Sequence, residues 1–221
     1  MAAILAQNLA VIPAVILAAG RSSRMGRAKA TLPIGDGETF LSRIVRTFLD
    51  ADVDDVIVVV GHDGEAMVGS FAATGLPARF VMNRDYDRGQ LSSLVAGLGV
   101  ADRPGVEAVL VTLVDVPFVA VETVRAVVDR FRHTAAPVVR PTRGGAHGHP
   151  ILIARSLFDA LRSAEPAAGA KPVVRAHASA AGDVTVEDEG AFLDIDTDED
   201  YRRAISGGIG GRVPGRSSGG P

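Results

Sequence analysis

Short apolar runs alternate with longer segments whose apolar residues recur at helical spacing. The apolar runs cover residues 14–19, 55–60, 78–82 and 108–114, and the amphipathic segments cover 40–51, 64–74, 91–100 and 121–133. Runs of Val, Ile and Leu without polar alternation are typical of parallel strands that are buried on both faces. The pattern therefore predicts an α/β fold, a Rossmann-like, doubly wound and mostly parallel sheet with helices on both sides.

The pattern changes after Pro137. The segment 137–153 predicts two short antiparallel strands around a turn at Gly144 and Gly145. Two helices should follow, over 154–163 and around 171–179. The segment 184–205 predicts two more strands and a final helix whose N-cap is Thr197.

We interpret residues 1–206 as a single domain with two parts, 12–136 and 137–206, that frame one cleft. Residues 1–12 are apolar but lack the basic start of a targeting segment, so we interpret them as a short extension leading into the first strand. Residues 207–221 are rich in glycine and offer almost nothing to bury, which predicts a disordered tail.

Composition narrows the classes of function. The chain of 221 residues has no cysteine, which excludes disulfides, thiolate metal sites and cysteine nucleophiles. Its formal net charge of -3 gives no global attraction to nucleic acid or to anionic lipid. No stretch approaches the roughly 18 uncharged apolar residues of a membrane span. We therefore expect a cytoplasmic protein without nucleic-acid or membrane partners.

The chemistry of an open parallel sheet gathers beyond the carboxyl ends of its strands. At the first such end, residues 20–29 form a glycine-containing loop with Arg21, Arg24, Arg27 and Lys29, which suits phosphate groups. The loop matches neither the Walker pattern nor G-x-G-x-x-G. Taken alone, the loop is better explained as a solvated basic turn than as a phosphate-binding site.

Carboxylates follow two other predicted strands. Asp115 comes directly after the run 108–114, where it could hold Mg²⁺ or cap a turn. Asp194 and Asp196 alternate with apolar residues, which places both on one face of a predicted strand. Because like charges on one face repel, a cation between them is favoured over simple solvation.

Two further segments carry polar side chains at predicted element ends. Gly89 precedes a helix that opens with Gln90, Ser92 and Ser93. Such an N-terminus suits a nucleobase or a phosphate, but this segment alone favours routine capping. His147 and His149 are spaced like paired metal ligands. Without a third ligand nearby, a loop or substrate-contact role is favoured over zinc.

Together, five segments resemble the MobA-like nucleotidyltransferase family, and within it the molybdenum cofactor cytidylyltransferases. They are LAAGRSSRMGRAK (17–29), GQLSSL (89–94), LVDVPF (113–118), GHPILI (148–153) and LDIDTDEDY (193–201). The resemblance runs from about Val15 to Ile205. It implies transfer of CMP from CTP to the terminal phosphate of molybdenum-molybdopterin, with release of pyrophosphate.

The resemblance also implies a set of site residues. Arg24, Lys29 and Asp115 would be catalytic, and Mg²⁺ would be held by Asp115 and Asp194, with Asp196 as the alternative ligand. The implied nucleotide-binding residues of part 12–136 are Leu17, Ala18, Ala19, Gly20, Arg21, Ser22, Ser23, Arg24, Lys29, Asn83, Gly89, Gln90, Ser93 and Asp115. The implied acceptor-binding residues are Pro117, Gly148, His149 and Pro150.

Two features of the resemblance favour CTP over GTP: Ala19, where guanylyltransferases usually carry glycine, and the Gly148–Pro150 segment. Val116 and Asp198 depart from the family pattern, in which glutamine and proline are common. The alternatives are the same chemistry with GTP or with another phosphorylated acceptor of the sugar, methylerythritol or phospholactate type. A non-catalytic chaperone that binds molybdopterin and serves a molybdenum enzyme is a further alternative.

Overall fold

The computed structural model describes residues 11–20 and 28–206. The predicted tail at 207–221 and the loop residues 21–27 lie outside the described residues. The strands are β1 (Ala14–Ala18), β2 (Pro33–Gly35), β3 (Glu38–Thr39), β4 (Val56–Val60), β5 (Arg79–Met82), β6 (Ala108–Leu113), β7 (Val138–Arg143), β8 (Ala146–His147), β9 (Ile151–Ala154) and β10 (Asp183–Thr185). The α-helices are α1 (Phe40–Asp50), α2 (Gly64–Ala72), α3 (Gln90–Ala101), α4 (Val121–Thr134), α5 (Phe158–Arg162), α6 (Lys171–His177) and α7 (Asp198–Ser206).

Eight of the described strands form one sheet in the order β10-β7-β9-β6-β1-β4-β5, with β8 paired to β7. Strand β9 is antiparallel to both of its neighbours and β8 is antiparallel to β7, whereas the other pairs are parallel. The strands of residues 137–206 thus extend the sheet begun by residues 12–136. The Rossmann-like prediction is confirmed, as is the antiparallel turn at Gly144 and Gly145.

The order of the parallel strands reverses beside β1. The chain runs from β1 to β4 and β5 on one side, and then returns to place β6 on the other side of β1. Doubly wound sheets open a ligand crevice beyond the carboxyl ends of the strands at such a reversal. Gly20 follows β1 and Asp115 follows β6, so the topology alone brings the first loop and this carboxylate to one crevice.

Helices cover both faces of the sheet, which explains why β1 and β4 are apolar at every position. On one face, Ile16 and Leu110 pack into a buried cluster with Phe48 of α1. On the other face, Val15 joins a second cluster with Leu98 of α3. Neighbouring residues of one strand therefore enter different cores. None of the helices in the described ranges combines the length and apolar character needed to cross a bilayer.

One prediction about the C-terminal segment is wrong. Of its two predicted strands only β10 forms, and residues 193–196 belong to no strand. Immediately before them, the Asp188 side chain accepts a hydrogen bond from the Gly190 backbone at 2.9 Å and caps a 3-10 helix over Glu189–Phe192. Thr197 caps α7 as predicted, accepting a hydrogen bond from the Asp200 backbone at 3.1 Å.

Two glycines of α3 make a matched test of how closely this helix lies on the sheet. A Cβ added at Gly97 would lie 2.5 Å from Val15 Cγ1 of β1, whereas one added at Gly99 would meet nothing within 4 Å. We expect Gly97→Ala to lower the free energy of unfolding by about 1–3 kcal/mol through overpacking. Gly99→Ala should raise it by roughly 0.5–1 kcal/mol through better helix propensity. Urea unfolding of both variants checks this, and equal effects would contradict the close packing.

Candidate active site

A buried lysine joins three distant segments at the crevice. Lys29 is 9% exposed, and its Nζ donates to Asp115 Oδ2 at 3.1 Å and to Asp196 Oδ1 at 2.6 Å. Lysine is rarely buried to this degree unless its charge is paired. The ion pairs bring together the end of the first loop, the end of β6 and the segment before α7.

The backbone around Asp115 aligns the other two carboxylates. Ile195 N donates to Asp115 O at 2.8 Å, and the Ile195 side chain is fully buried in a cluster with Phe40 and Phe118. On either side of this buried residue, Asp194 is exposed and Asp196 is half-buried, so burial alternates along the segment as the sequence pattern predicts. The predicted alternation of these acids therefore holds even though the predicted strand does not form.

Charges at this site act on one another. Burial raises the pKa of the Asp194 carboxyl, and the negative charges of Asp115 and Asp196 raise it further against the opposing effects of His149 and Lys29. The Asp194 residue as a whole is nevertheless exposed. Asp194 therefore lies within electrostatic reach of the other acids of the site.

His149 lies against the same carboxylates. Burial lowers its pKa below the usual value, against the opposing effects of the Val111 carbonyl and of Asp194 and Asp115. Its Nδ1 is 3.4 Å from Val111 O, and its backbone N–H donates to Ala191 O at 2.8 Å. At neutral pH the imidazole is therefore uncharged and can present its other nitrogen as an acceptor.

The donor set fits a hard divalent cation that also binds phosphate. Asp115 Oδ1 is buried and has no hydrogen-bond partner among the described residues, and such an oxygen is costly unless a cation or donor meets it. In the part of the chain that the structure describes, no three His, Asp or Glu side chains are arranged as a complete metal site. Mg²⁺ is commonly held by one or two carboxylates together with phosphate oxygens and water, so an incomplete protein site fits it.

The nucleotide side of the crevice begins at the end of β1. Leu17, Ala18 and Ala19 are buried, and Gly20 is exposed, with none of the described residues within 4 Å of the place where a Cβ would stand. Ala19 O accepts a hydrogen bond from His62 N at 3.4 Å, which ties the start of the loop to the end of β4. Four nucleotide-binding predictions, on Arg21, Ser22, Ser23 and Arg24, lie outside the described residues.

Asn83 organises the loop that leads to α3. Its Nδ2 donates to Ser92 Oγ at 2.9 Å and to Ser93 Oγ at 3.0 Å, and its Oδ1 accepts from Asp85 N at 2.9 Å. Gly89, with a φ of 99°, closes this loop immediately before Gln90 begins the helix. The Asn83 amide is thus engaged with the protein and holds the helix start in place, while its contact with a nucleotide stays a prediction.

The acceptor-side residues converge as well. Pro117 and Pro150 line one small cavity above Thr112 of β6. Gly148 packs against the Ala191 backbone so closely that a Cβ would lie 2.4 Å from Ala191 O. His147, in contrast, is exposed on β8.

Sequence reasoning missed Asp188. Its Oδ2 accepts from Ala120 N at 2.8 Å and from Thr123 Oγ1 at 2.7 Å, which ties the start of α4 to the loop that leads toward Asp194. The only local signal is an aspartate two residues before a glycine, which is common in turns. The carboxylate's long-range partners cannot be recognised from that signal.

Comparison with known protein families identifies one match. The family described as "MobA-like NTP transferase domain" matches residues 14–181. The match includes the ends of β1, β5 and β6, where Lys29, Asn83 and Asp115 lie.

Three curated relatives bear different names. The chain is 30% identical to the purine catabolism protein PucB of Bacillus subtilis, over 87% of this chain and 96% of that protein. It is 32% identical to the nicotine blue oxidoreductase of Paenarthrobacter nicotinovorans, over 90% and 98%. It is 33% identical to a probable molybdenum cofactor guanylyltransferase of Mycobacterium bovis, over 65% and 68%.

Solved structures share the fold over nearly their whole length. A nucleotidyl transferase from Methanothermobacter thermautotroptrophicus superposes with a TM-score of 0.74 at 25% identity, covering 89% of this chain and 97% of that one. The manganese complex of Rv0371C from Mycobacterium tuberculosis superposes with a TM-score of 0.68 at 27% identity, covering 88% and 98%.

The hydrogen bonds of Asn83 make its structural role testable. Asn83→Ala removes three hydrogen bonds of a buried side chain, and we expect it to lower the free energy of unfolding by about 1–3 kcal/mol. Hydrogen exchange should accelerate at the amides of residues 85–89 and stay unchanged in β1. Unaltered exchange in that loop would contradict the positioning role.

Proposed function

Because the chain belongs to the family of MobA-like NTP transferase domains, we propose that it transfers CMP from CTP to the terminal phosphate of molybdenum-molybdopterin and releases pyrophosphate. The observation that carries the proposal is the Lys29 ammonium group, held between Asp115 and Asp196 at the strand reversal where such sheets bind ligands. Lys29 ends the loop that carries the family resemblance, so its charge lies where the triphosphate of a nucleotide would enter.

The proposed reaction does not require a strong general base. A terminal phosphate is already anionic at neutral pH, so it can attack the α-phosphorus of the nucleotide without losing a proton. The barrier comes mainly from repulsion between anions and from positioning. Lys29 supplies a fixed positive charge against that repulsion, and the loop after β1 supplies backbone amides, with Arg24 proposed as a second cation.

A magnesium ion would share this work. Asp115, through its unpaired Oδ1, and Asp194 are the residues that would hold it. When bound, such an ion neutralises phosphate charge and orients the phosphate groups. The relative crystallised with manganese supports a divalent cation in this family.

On the acceptor side, Pro117 and the Gly148–Pro150 segment would contact the pterin-type substrate. Pro117 and Pro150 line one cavity, and Gly148 packs against the backbone of Ala191. The neutral imidazole of His149 can accept a hydrogen bond there without adding charge.

The choice of nucleotide has two candidates. Ala19 and Gly148–Pro150 support CTP through the resemblance described above. The relative named as a molybdenum cofactor guanylyltransferase supports GTP as the second candidate.

A nucleotide panel tests the proposal directly. The purified chain is incubated with molybdenum-molybdopterin, Mg²⁺ and each of CTP, GTP, ATP and UTP, and the products are identified by mass. We expect a dinucleotide and pyrophosphate with CTP. A dinucleotide formed only with GTP would move the assignment to guanylyl transfer. Binding of molybdopterin without any pyrophosphate release would favour the chaperone alternative, and turnover of a different phosphorylated acceptor would replace the substrate.

The role of Asp115 is tested by an isosteric change. Asp115→Asn should lower the rate of pyrophosphate release by at least about a hundredfold, because it removes negative charge from both the lysine pair and the proposed cation site. Asp129→Asn is the matched control, since that aspartate is 61% exposed on α4 and is paired with Arg132. Near-normal turnover by the Asp115 variant, with an unchanged fold by circular dichroism, would contradict the assignment.

A further inference from the structure

Asp188 holds the start of α4 from a distant part of the chain. Ala120 occupies the N-cap of this helix, and its methyl side chain offers no oxygen to the helix. The Oδ2 atom of Asp188 accepts hydrogen bonds there from Ala120 N at 2.8 Å and from Thr123 Oγ1 at 2.7 Å. A carboxylate at a helix N-terminus also interacts favourably with the helix dipole. Asp188 therefore caps α4 although it lies 68 residues further along the chain.

The other oxygen of Asp188 closes a turn that packs against the loop 117–120. Oδ1 accepts a hydrogen bond from Gly190 N at 2.9 Å, and Gly190 is buried against this loop, where an added Cβ would lie 1.9 Å from Phe118 O. Such a close approach leaves room only for glycine. The carboxylate thus reaches the loop at Ala120, and the turn that it closes reaches the loop at Phe118.

The residue after this turn, Ala191, contacts the acceptor side of the crevice. Its carbonyl oxygen accepts a hydrogen bond from His149 N at 2.8 Å, and a Cβ added at Gly148 would lie 2.4 Å from the same oxygen. Residues 188–191 therefore connect the loop 117–120 to this pair of residues, and we call them the bridging segment.

We propose that Asp188 is a positioning residue for the phosphorylated acceptor, because its carboxylate fixes the bridging segment and thereby the separation between Pro117 and His149. The proposal rests on the function proposed above, in which both of these residues contact the acceptor. In this role Asp188 acts through Pro117 and His149 rather than on the reacting groups. A displacement of about 1 Å in such a site can lower a rate on the order of a hundredfold.

Charge and position predict opposite effects when Asp188 is replaced. The acceptor is a phosphorylated anion, so a carboxylate that acted only through its charge would repel it, and replacing that carboxylate would lower the KM for the acceptor. Loss of the hydrogen bonds instead loosens the acceptor contacts, which raises that KM. Glu187 provides a control for charge alone, because its side chain is 89% exposed and lies one residue earlier, with Arg143 Nε 3.8 Å away.

Steady-state kinetics with molybdenum-molybdopterin and CTP test the sign of the effect. We expect Asp188→Ala to raise the KM for the acceptor at least about tenfold and to change the KM for CTP by less than about threefold, because the nucleotide is proposed to bind at other elements. Glu187→Gln should leave both constants within the same range of the wild-type values. A lowered acceptor KM, an unchanged one, or an equal rise in both constants would overturn the proposal.

Thr123 supplies a second test from the other side of the contact. Thr123→Val removes the hydroxyl that donates to Asp188 Oδ2 and keeps the shape of the side chain, so it should raise the acceptor KM by a smaller factor than Asp188→Ala. The double variant should match Asp188→Ala alone, because the shared contact is lost only once. Effects that multiply would contradict the shared role. Asp188→Asn, which can still accept from Gly190 N, replaces Asp188→Ala in both comparisons should the alanine variant not fold.

Hydrogen exchange separates this proposal from the proposed function. Asp188→Ala should accelerate exchange of the His149 amide, which donates to Ala191 O, and leave unchanged that of the Asn83 amide, which donates to Val60 O. Unaltered exchange at His149 would overturn the proposal. If the wild-type chain makes no product with any nucleotide, the proposed function fails, while this comparison still decides whether Asp188 holds the bridging segment. If the wild-type chain turns over and exchange at His149 accelerates without a rise in the acceptor KM, only the positioning role is wrong.

Discussion

The ion pairs of Lys29 hold the crevice together. The ammonium group links the end of the first loop to the turn after β6 and to the extended segment before α7. Two carboxylates offset the cost of burying this lysine, and those carboxylates would repel each other without it. These ion pairs link the segments that form the crevice, and they also concentrate charged groups beyond the carboxyl ends of the strands.

The carboxylates depend in turn on the core beneath them. Ile195 is buried among Phe40 and Phe118 while its backbone bonds to Asp115, so packing decides which acids reach the crevice. Asp188 secures the neighbouring loop by bonding the start of α4. Rigid elements behind the site thereby hold its charges in place before any ligand arrives, as electrostatic stabilisation of a phosphate reaction requires.

Proteins that share this fold bear names that refer to different functions. Two proteins similar to this chain over most of their length are named purine catabolism protein PucB and nicotine blue oxidoreductase, and another relative is named a probable molybdenum cofactor guanylyltransferase. A shared fold supports a shared way of binding nucleotides, whereas substrate choice depends on side chains that line the crevice. For this chain, the proposed function assigns that choice to the end of β1, the loop from Asn83 to Gly89, and the segments around Pro117 and His149.

The sequence by itself determined the mostly parallel sheet and its helices, and it singled out Lys29 and Asp115 as candidate site residues. It could do so because apolar periodicity and short motifs are local properties of the chain. It also indicated that Asp194 and Asp196 share one face, since alternation follows from an extended backbone with or without a ladder. Tertiary structure alone decided which partners the polar side chains find. Asp196 pairs with Lys29, and the Asn83 amide donates to Ser92 and Ser93. Asp188 accepts a hydrogen bond from the backbone at the start of α4. Most of these contacts join residues that are far apart in the chain. A local sequence pattern cannot predict which side chain will pair with a buried charge.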